Sequence, residues 1–349
     1  SPAIPTAFFC LIAVMWGYFL AMRSIRRVGF EMESIAFFLS TLSLAVTASS
    51  APGSLFKQLA ALLLGLVLFV VLGVFLRDLD RVKRIRWLMA GGAILLLGAT
   101  LVLGQAKFGA VNWITFGGFS LQPSELAKIC YIFAGAATLD RLFRKRNLGL
   151  FMALTAACLG CLALMSDFGT AAIFFVTFLV IAYLRSGDWA TLTLISGGAV
   201  FAVAILLTFK PYILKRFATW GHAWEYASSG GYQQTRTMSA AASGGLVGVG
   251  AGEGWLHRVA AADTDLVFGM LCEEWGLIIG VLSVLCIVTL AVFAVRACHA
   301  GRSSFYTIAA CAATSLLVFQ TCLNVFGAVD LLPLTGVTFP FVSNGGSSM

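Results

Sequence analysis

Long apolar runs alternate with short polar connections along the whole chain. A membrane-spanning helix needs roughly 17 to 25 mostly apolar residues. Ten runs meet this requirement, near 6–22, 34–50, 58–76, 88–104, 125–140, 149–165, 170–185, 190–209, 266–295 and 303–327. The pattern therefore predicts an all-α polytopic membrane protein.

The composition agrees with this fold class. The 349 residues are 60% hydrophobic and 11% charged, whereas soluble domains contain about 25% charged residues. The net charge of +8 would suit nucleic acid only if the basic residues formed one recognition surface. They lie instead in short clusters between the apolar runs. We therefore exclude a nucleic-acid partner.

The basic residues also predict the orientation of the spans. Alternate connections hold 15 of the 23 lysines and arginines, in clusters at 23–27, 77–86, 141–146, 185 and 296–302. Cytoplasmic loops carry an excess of such residues. These connections are therefore predicted to be cytoplasmic, and the protein is predicted to be a multi-pass protein of the cytoplasmic membrane.

Two segments on the opposite, outer side are too long for simple turns. Residues 105–124 mix aromatic residues, glycines and amides, and the large outer loop between 210 and 262 is rich in glycine and aromatic residues. Long loops in a compact fold are usually functional or disordered. The aromatic residues of the second segment favour an ordered position on the membrane surface, and its glycines indicate flexible or tightly packed backbone.

Four carboxylates follow this outer loop within 12 residues, at Asp263, Asp265, Glu273 and Glu274. If a helix starts at Asp265, Glu273 lies about 12 Å along the axis and Glu274 faces the opposite side. Neither geometry gives the facing carboxylate pair, roughly 5 to 9.5 Å apart, of glycoside hydrolysis. Asp265 is therefore expected to act alone or together with Asp263.

A lone carboxylate suits a reaction whose leaving group is a diphosphate. Such a group needs cations or donors rather than a proton, so one general base on the acceptor hydroxyl is sufficient. The outer side offers suitable cations in Lys128, Lys215, Arg216 and Arg236. An N-terminal cap of the following helix is the alternative role for Asp265. The pair Asp263 and Asp265 also leaves a divalent cation open.

The remaining charged candidates each have a structural alternative. Asp167 either caps the next helix or points into a cavity. Lys128 either binds a ligand, reaches the membrane interface or pairs with Glu125. Glu273 and Glu274 either serve a site or pair with a basic residue of a neighbouring span, and they are candidates for holding their helix against its neighbours.

Four separated blocks of residues carry a family resemblance. The first is Gly109-Ala110-x-x-Trp113-Ile114 with Gln122-Pro123-Ser124-Glu125-Leu126-Ala127-Lys128, and the second is Asp167-Phe168-Gly169-Thr170-Ala171. The third joins Gly231-Tyr232-Gln233, Ser243-Gly244-Gly245-Leu246-x-Gly248, Thr264-Asp265-Leu266-Val267-Phe268 and Glu273-Glu274-x-Gly276. The fourth is Leu332-Pro333-x-Thr335-Gly336 with Phe339-Pro340-Phe341-Val342-Ser343-x-Gly345-Gly346-Ser347-Ser348. The sequence resembles the SEDS family (shape, elongation, division and sporulation), the RodA and FtsW group of peptidoglycan-polymerising membrane glycosyltransferases.

The resemblance implies a ten-helix SEDS-type fold and assigns the catalytic aspartate to Asp265. It implies that lipid II is the substrate, that Asp265 deprotonates the acceptor 4-hydroxyl, and that undecaprenyl diphosphate leaves with inversion. A class B penicillin-binding protein is the implied partner. The predicted substrate-binding residues are Lys128, Glu125, Gln122, Asp167, Lys215, Arg216, Tyr232, Gln233, Arg236, Glu274 and Ser343. No cofactor is implied, and a divalent cation at Asp263 and Asp265 stays open.

The chain departs from the family pattern in several places. Residues 1–33 are predicted to form an extra N-terminal transmembrane helix with a basic cytoplasmic loop, and 34–349 a SEDS-type catalytic domain whose last helix is truncated. Asn112 stands where many members have arginine, Asn344 replaces a common tyrosine, and Arg236 precedes Thr237 in place of a frequent Gln-Ser. These changes near the outer face predict a rearranged set of diphosphate-binding cations.

Two rival functions use the same features. A transporter that flips lipid II would also need a polar cavity, but only a polymerase requires a carboxylate at its outer rim. A non-catalytic scaffold for a penicillin-binding protein would not need Asp265 at all.

Overall fold

Helices account for most of the computed structural model, which describes residues 2–107, 110–116, 119–138, 145–209, 211–299 and 303–349. The first eight helices are α1 Ala3–Ser24, α2 Glu31–Ser50, α3 Leu55–Phe75, α4 Leu79–Leu103, α5 Pro123–Thr138, α6 Lys145–Leu164, α7 Phe168–Ser186 and α8 Trp189–Phe209. They are followed by α9 Pro211–Thr219, α10 Tyr232–Gly244, α11 Val267–His299 and α12 Ser304–Ala328.

Each of the ten predicted apolar runs overlaps one of these helices, namely α1 to α8, α11 and α12. Within the described residues, seven helices are long and apolar enough to cross a membrane: α1, α2, α3, α4, α7, α11 and α12. Helices α6 and α8 contain shorter apolar stretches. The predicted all-α polytopic class is confirmed, because apolar side chains on both sides of these helices require a nonpolar solvent.

Several helix starts follow from single polar residues. The Asp78 carboxylate accepts hydrogen bonds from the backbone N–H groups of Asp80 and Arg81 at the start of α4. Ser303 caps α12 in the same way through the N–H group of Phe305. A side-chain oxygen at this position satisfies a backbone donor that has no partner within the helix. These caps fix where two of the long apolar helices enter the membrane.

A three-stranded antiparallel sheet lies between α4 and α5, where the sequence pattern predicted only an irregular outer segment. Its strands are β1 Gln105–Lys107, β2 Ala110–Phe116 and β3 Phe119–Leu121, and Trp113 pairs with Gln105 while Ile114 pairs with Leu121. β-Branched and aromatic side chains along β2 favour the extended backbone. The Val111 N–H group donates to the Met165 carbonyl at 3.0 Å, which fastens the sheet to the α6–α7 connection.

The long segment from 210 to 262 is ordered over its described residues and contains α9, α10 and a short 3₁₀ turn at Leu256–Arg258. Its glycine-rich part docks against a break in α11 at Gly276, which has φ 87 and ψ 164. There the Leu277 N–H group donates to the Gly245 carbonyl at 2.9 Å, and Val249 N–H donates to the Glu273 carbonyl at 2.9 Å. The glycines thus serve close packing of backbone on backbone.

Two buried carboxylates complete this docking. Glu273 accepts hydrogen bonds from the backbone N–H groups of Trp255 and Leu256 at 2.8 and 3.0 Å. Glu274 accepts hydrogen bonds from Ser49 Oγ and from the Gly252 N–H group. The proposed role in holding the helix against its neighbours fits these contacts, although the partners are backbone donors and a serine rather than the basic residue expected.

The apolar run near 266–295 is confirmed as α11, whereas the assumption of a helix that starts at Asp265 is not met. The helix begins at Val267, so Asp265 lies in the turn before it rather than in its first turn. The axial distances calculated for Glu273 and Glu274 therefore do not apply. The expectation that neither glutamate faces Asp265 still agrees with their contacts, because both carboxylates are bonded to the glycine-rich segment.

Helix α1 packs against α2 and α3 through a small apolar cluster that includes Leu11, Phe37 and Leu59. A polar network joins α1 and α2 near their connection, where Glu33 forms an ion pair with Arg27 and accepts a hydrogen bond from the Tyr18 hydroxyl at 3.0 Å. The chain thus holds its first helix by both apolar and polar contacts. The division at residue 33 into an extra helix and a catalytic domain stays a prediction.

The close packing at the helix break at Gly276 predicts that a side chain there lowers the stability of the protein. A Cβ at Gly276 would lie 2.2 Å from the Leu246 carbonyl oxygen, in a backbone conformation that disfavours any side chain. We expect Gly276→Ala to lower the free energy of unfolding by about 2 kcal/mol or more. Thermal unfolding in detergent, followed by circular dichroism, measures the change.

Gly160→Ala on α6 is the matched control, since a Cβ there meets nothing within 4 Å. We expect this control to unfold at or slightly above the temperature of the unchanged protein. Equal melting temperatures for the two variants would contradict the close packing described above.

Candidate functional site

A cavity of about 640 Å³ opens at one end of the helices. Its walls come from the start of α3, the sheet and its connection to α5, the α6–α7 connection, α9, the turn before α11 and the segment after α12. Because consecutive spans alternate in direction, all these segments lie at the helix ends opposite the basic clusters. The cavity therefore occupies the side predicted from the charge pattern to be the outer one.

Asp265 lies in the wall of this cavity. The turn that carries it has three successive backbone N–H groups, of residues 264 to 266, that all donate to the Ala261 carbonyl at 3.3, 3.0 and 3.2 Å. Buried Leu266 and Val267 anchor the far end of the turn in the core. This places the carboxylate at the rim of the membrane-spanning part, not within α11.

The protein environment makes the Asp265 carboxyl an unusually good proton acceptor. The pKa of Asp265 is raised from 3.8 to about 6, mainly by burial and to a smaller extent by the charges of Asp167 and Asp263. The hydrogen bond from Thr264 and the guanidinium of Arg216 act in the opposite direction and lower the pKa. Although the side chain lies deep in the protein, it keeps partial solvent exposure because it borders the cavity. A base with this pKa is well matched to proton abstraction near neutral pH.

Two further aspartates border the same cavity, and each is held by an asparagine. Asp167 caps α7 through the Thr170 N–H group, and its other oxygen accepts hydrogen bonds from Thr170 Oγ1 and Asn112 Nδ2 at 2.9 and 3.4 Å. Asp263 accepts a hydrogen bond from Asn344 Nδ2 at 2.6 Å. Both readings of Asp167 therefore hold together, since this residue caps a helix and also lines a cavity.

Two cations line the cavity among the described residues, Arg216 and Lys57. The Arg216 guanidinium on α9 donates to the Leu334 carbonyl at 2.8 Å, which fixes it near Asp265. Lys215 was also predicted to be a diphosphate-binding cation. Its side chain lies outside the part of the chain that the structure describes. Cations at these positions can neutralise a diphosphate without donating a proton.

Lys128 and Glu125 form an ion pair beside the cavity rather than in its wall. Lys128 Nζ lies 2.7 Å from Glu125 Oε2 and donates to Gln320 Oε1 at 2.8 Å. Gln320 in turn donates to the hydroxyl of Thr338, which borders the cavity. Of the roles considered for Lys128, the structure shows the pairing with Glu125. A direct contact of Lys128 or Glu125 with substrate stays a prediction.

The other predicted binding residues separate into those in the cavity wall and those outside it. Gln122 borders the cavity. Tyr232 and Arg236 stack on each other on the exposed face of α10, with the guanidinium 5.2 Å from the ring centre, and they do not line the cavity. Gln233 on the same helix donates to the Ala260 carbonyl at 2.9 Å, next to the turn of Asp265.

Glu274 and Ser343 also lie outside the cavity wall. Glu274 is buried and bonded to the glycine-rich segment. Ser343 is fully buried, accepts a hydrogen bond from the Phe339 N–H group and donates to the Thr264 carbonyl. Their contacts are structural in this state, and a role in binding substrate stays a prediction.

Sequence reasoning missed two polar residues of the wall, Lys57 and Gln58. Gln58 accepts a hydrogen bond from the Gly345 N–H group at 3.1 Å and donates to Ser43 Oγ at 2.9 Å, so it ties α3 to α2 and to the C-terminal segment. The available signal was a lysine and a glutamine at the outer edge of an apolar run. Such residues in a span mark functional sites by default.

The described residues contain no group of three or more His, Cys, Asp or Glu side chains that could hold a metal ion. Asp263 is moreover engaged by Asn344, and by Ser50 Oγ at 3.4 Å. The divalent-cation hypothesis therefore depends on Asp263 and Asp265 alone.

Comparison with known proteins identifies the family of this chain. The sequence model of the cell cycle protein family of FtsW, RodA and SpoVE matches residues 23–349. A probable peptidoglycan glycosyltransferase FtsW of Aliivibrio salmonicida is 31% identical over 81% of this chain and 75% of its own length. The peptidoglycan glycosyltransferase RodA of Mycobacterium tuberculosis is 29% identical over 84% of this chain and 66% of its own length.

Solved structures show the same architecture. A chain of a peptidoglycan synthase complex, studied for its coordination of polymerization and crosslinking, superposes with a TM-score of 0.74 at 26% identity and covers 92% of this chain and 93% of its own. The rod shape determining protein RodA of Thermus thermophilus superposes with a TM-score of 0.67 at 25% identity, covering 92% and 91%. The chain therefore belongs to the FtsW, RodA and SpoVE family of cell cycle proteins.

Proposed function

We propose that this peptidoglycan glycosyltransferase polymerises lipid II at the outer face of the cytoplasmic membrane with Asp265 as its general base. Lipid II is a disaccharide-pentapeptide carried on undecaprenyl diphosphate. The observation that carries the proposal is the position of Asp265, recessed in a polar cavity with a raised pKa and with Arg216 beside it.

The reaction needs one proton acceptor and one charge-neutralising group. Asp265 takes the proton of the acceptor 4-hydroxyl as the oxygen attacks the anomeric carbon of the donor sugar. The bond from that carbon to the diphosphate oxygen breaks, and the diphosphate leaves with the electron pair. Because attack and departure occur on opposite faces of the sugar, the configuration inverts. A diphosphate is stable as an anion, so no acid has to protonate it.

Arg216 and Lys57 are the residues we assign to the leaving diphosphate. Both border the cavity that contains Asp265. Of the four cations expected from the sequence, Arg216 lines the cavity, whereas Arg236 stacks on Tyr232 outside it and Lys128 is paired with Glu125. Lys57 is an additional cation, and Lys215 stays a prediction. Asn112 and Asn344 line the same cavity and add neutral donors near the sugar.

The charge pattern and the chain direction together support the outer location. The cavity lies at the helix ends opposite the connections that hold most lysines and arginines. The positive-inside rule makes those connections cytoplasmic. Substrate would then enter the cavity from the outer leaflet, with its lipid tail among the surrounding helices.

We further propose a class B penicillin-binding protein as the partner that crosslinks the product. The support is the similar solved chain, which is part of a peptidoglycan synthase complex in which polymerization and crosslinking are coordinated.

Removal of the base should abolish polymerisation. We expect Asp265→Asn to keep the fold, because it preserves side-chain volume, and to yield no glycan strands. Labelled lipid II is incubated with the purified protein and its co-expressed partner. Gel separation of the glycan strands then measures the outcome. Glu253→Gln is the matched control, since Glu253 is an exposed acid of the same outer segment that does not line the cavity.

Each outcome separates the rival functions. Polymer formation by Asp265→Asn at the rate of the unchanged protein would refute the assignment of the base. Absence of polymer from the unchanged protein, together with transfer of labelled lipid II across vesicle membranes, would favour a transporter. Absence of both activities alongside a stable complex with the partner would favour a scaffold.

The rate should fall as Asp265 takes up a proton, below about pH 6. Asp263→Asn removes a negative charge that raises the pKa of Asp265, so the acid limb of the rate profile should move to lower pH. Arg216→Met removes a positive charge that lowers this pKa, so the limb should move to higher pH. Shifts of about a few tenths of a pH unit are expected for partly screened charges.

Initial rates of lipid II consumption between about pH 4.5 and 8 measure these shifts. This range brackets the expected midpoint by roughly two units. Asp265 must be unprotonated to act, so the activity is retained above its pKa and lost below it. Movement of the two limbs in the same direction would contradict the electrostatic assignment.

A further inference from the structure

The turn that carries Asp265 is held from outside at three consecutive carbonyl groups. Each carbonyl of residues 263–265 accepts a hydrogen bond from a residue of α12 or of the segment after it. The three bonds are Asn344 N to Asp263 O at 2.8 Å, Ser343 Oγ to Thr264 O at 2.6 Å, and Asn324 Nδ2 to Asp265 O at 3.0 Å. Three successive peptide planes are thereby fixed, and with them the direction of the Asp265 side chain.

Two of the three donor residues, Asn324 and Ser343, are buried and have a further hydrogen-bond partner. Asn324 is buried on α12, and its Nδ2 atom also donates to the Val337 carbonyl at 2.8 Å. Ser343 is fully buried and accepts a hydrogen bond from the Phe339 N–H group at 2.8 Å. The turn is therefore braced by a membrane-spanning helix and by the buried segment that follows it.

The hydrogen bonds within the turn share a single acceptor. The N–H groups of residues 264 to 266 all converge on the single carbonyl of Ala261. Ala261 itself has φ 60, a backbone conformation that residues other than glycine rarely adopt. A turn with one shared acceptor and a strained first residue depends on external bonds for a single orientation.

Asn344 adds a second contact that concerns the neighbouring acid. Its side-chain Nδ2 atom donates to Asp263 Oδ2 at 2.6 Å, in addition to the backbone bond. One residue thus holds both the peptide plane and the carboxylate of Asp263, two positions before the base. The carboxylate of Asp263 is kept against the C-terminal segment instead of competing for the proton of the acceptor.

We propose that Asn324, Ser343 and Asn344 are positioning residues that hold the turn 263–265 so that Asp265 stays recessed and aimed at the acceptor hydroxyl. The inference rests on the proposed function of Asp265 as base. A displacement of about 1 Å can cost an enzyme roughly a hundredfold in rate. Bracing at three consecutive carbonyls is a direct way to prevent such a displacement.

The decisive variant is Asn324→Ala. It removes the hydrogen-bond donor to the Asp265 carbonyl, and Asn324 itself lies outside the cavity wall. We expect kcat for lipid II to fall roughly ten- to a hundredfold, while KM changes less than about threefold because the substrate-facing groups remain. Ser343→Ala should have the same effect through Thr264. Asn344→Ala keeps the backbone bond to the Asp263 carbonyl but releases the Asp263 carboxylate, so it should lower kcat less than Asn324→Ala, and Asn344→Gln, which keeps an amide donor, should restore part of the loss.

The pH profile distinguishes positioning from loss of stability. A loosened turn admits water to Asp265, and burial is the main cause of its raised pKa. The acid limb should therefore move to lower pH in Asn324→Ala. The charged groups that act on Asp265 are Arg216 of α9, Asp167 before α7 and Asp263 of the same turn, and the variant leaves all three in place. Loss of folded protein would lower the plateau without moving the limb.

Thr321→Val is the matched control on α12. Thr321 is buried, and its hydroxyl donates to the Leu317 carbonyl of its own helix. We expect this variant to keep the kcat and the acid limb of the unchanged protein. An equal loss in Thr321→Val, or an unchanged kcat and limb in folded Asn324→Ala, would overturn the positioning assignment.

A measurement of the Asp265 protonation that needs no enzymatic turnover tests this inference independently of the proposed function. Difference infrared spectroscopy follows the Asp265 carboxyl band against pH, and Asp265→Asn identifies that band. A lower midpoint in Asn324→Ala than in the unchanged protein supports the bracing even if no polymer forms. Equal midpoints would overturn it even if the protein is an active polymerase.

Discussion

Burial of the Asp265 carboxylate is the constraint on which the rest of this site depends. A desolvated carboxylate holds its proton more tightly, so burial makes Asp265 a better base near neutral pH and also makes its position costly to maintain. The surrounding protein meets this cost with Arg216 and with the hydrogen bond from Thr264. The other cavity aspartates are held by asparagine donors, which leaves Asp265 distinct in its surroundings.

The backbone around the base obeys a second rule of membrane proteins, that polar groups must find partners inside the protein. The broken helix α11 satisfies it by bonding its exposed peptide groups to the glycine-rich segment before it. Glu273 and Glu274 receive four further donors from outside their helix. The same stretch of sequence therefore supplies both Asp265 and the two glutamates that hold the following helix in place.

Much of this architecture was predictable because it depends on local patterns. The apolar runs predicted the helices, and the motif around Thr264 and Asp265 predicted the base. The sheet over β2 was missed because two of its three strands, β1 and β3, have only three residues each. Ser343 was expected to bind substrate, whereas its hydroxyl bonds to the Thr264 carbonyl, a residue 79 positions away. Lys57 was overlooked because only the packing of α3 brings it into the cavity wall.

The sequence by itself determined the membrane class and the family, and it predicted the outer side and the role of Asp265, since periodicity, charge bias and motif order lie along the chain. Only the tertiary structure decided which neighbours surround that residue. It selected Arg216 over Arg236, paired Lys128 with Glu125 and Gln320, and joined Asn324 and Asn344 to the turn. The physical reason is that hydrogen bonds and charge effects act over a few ångströms in space, and the chain brings distant residues to that range only by folding.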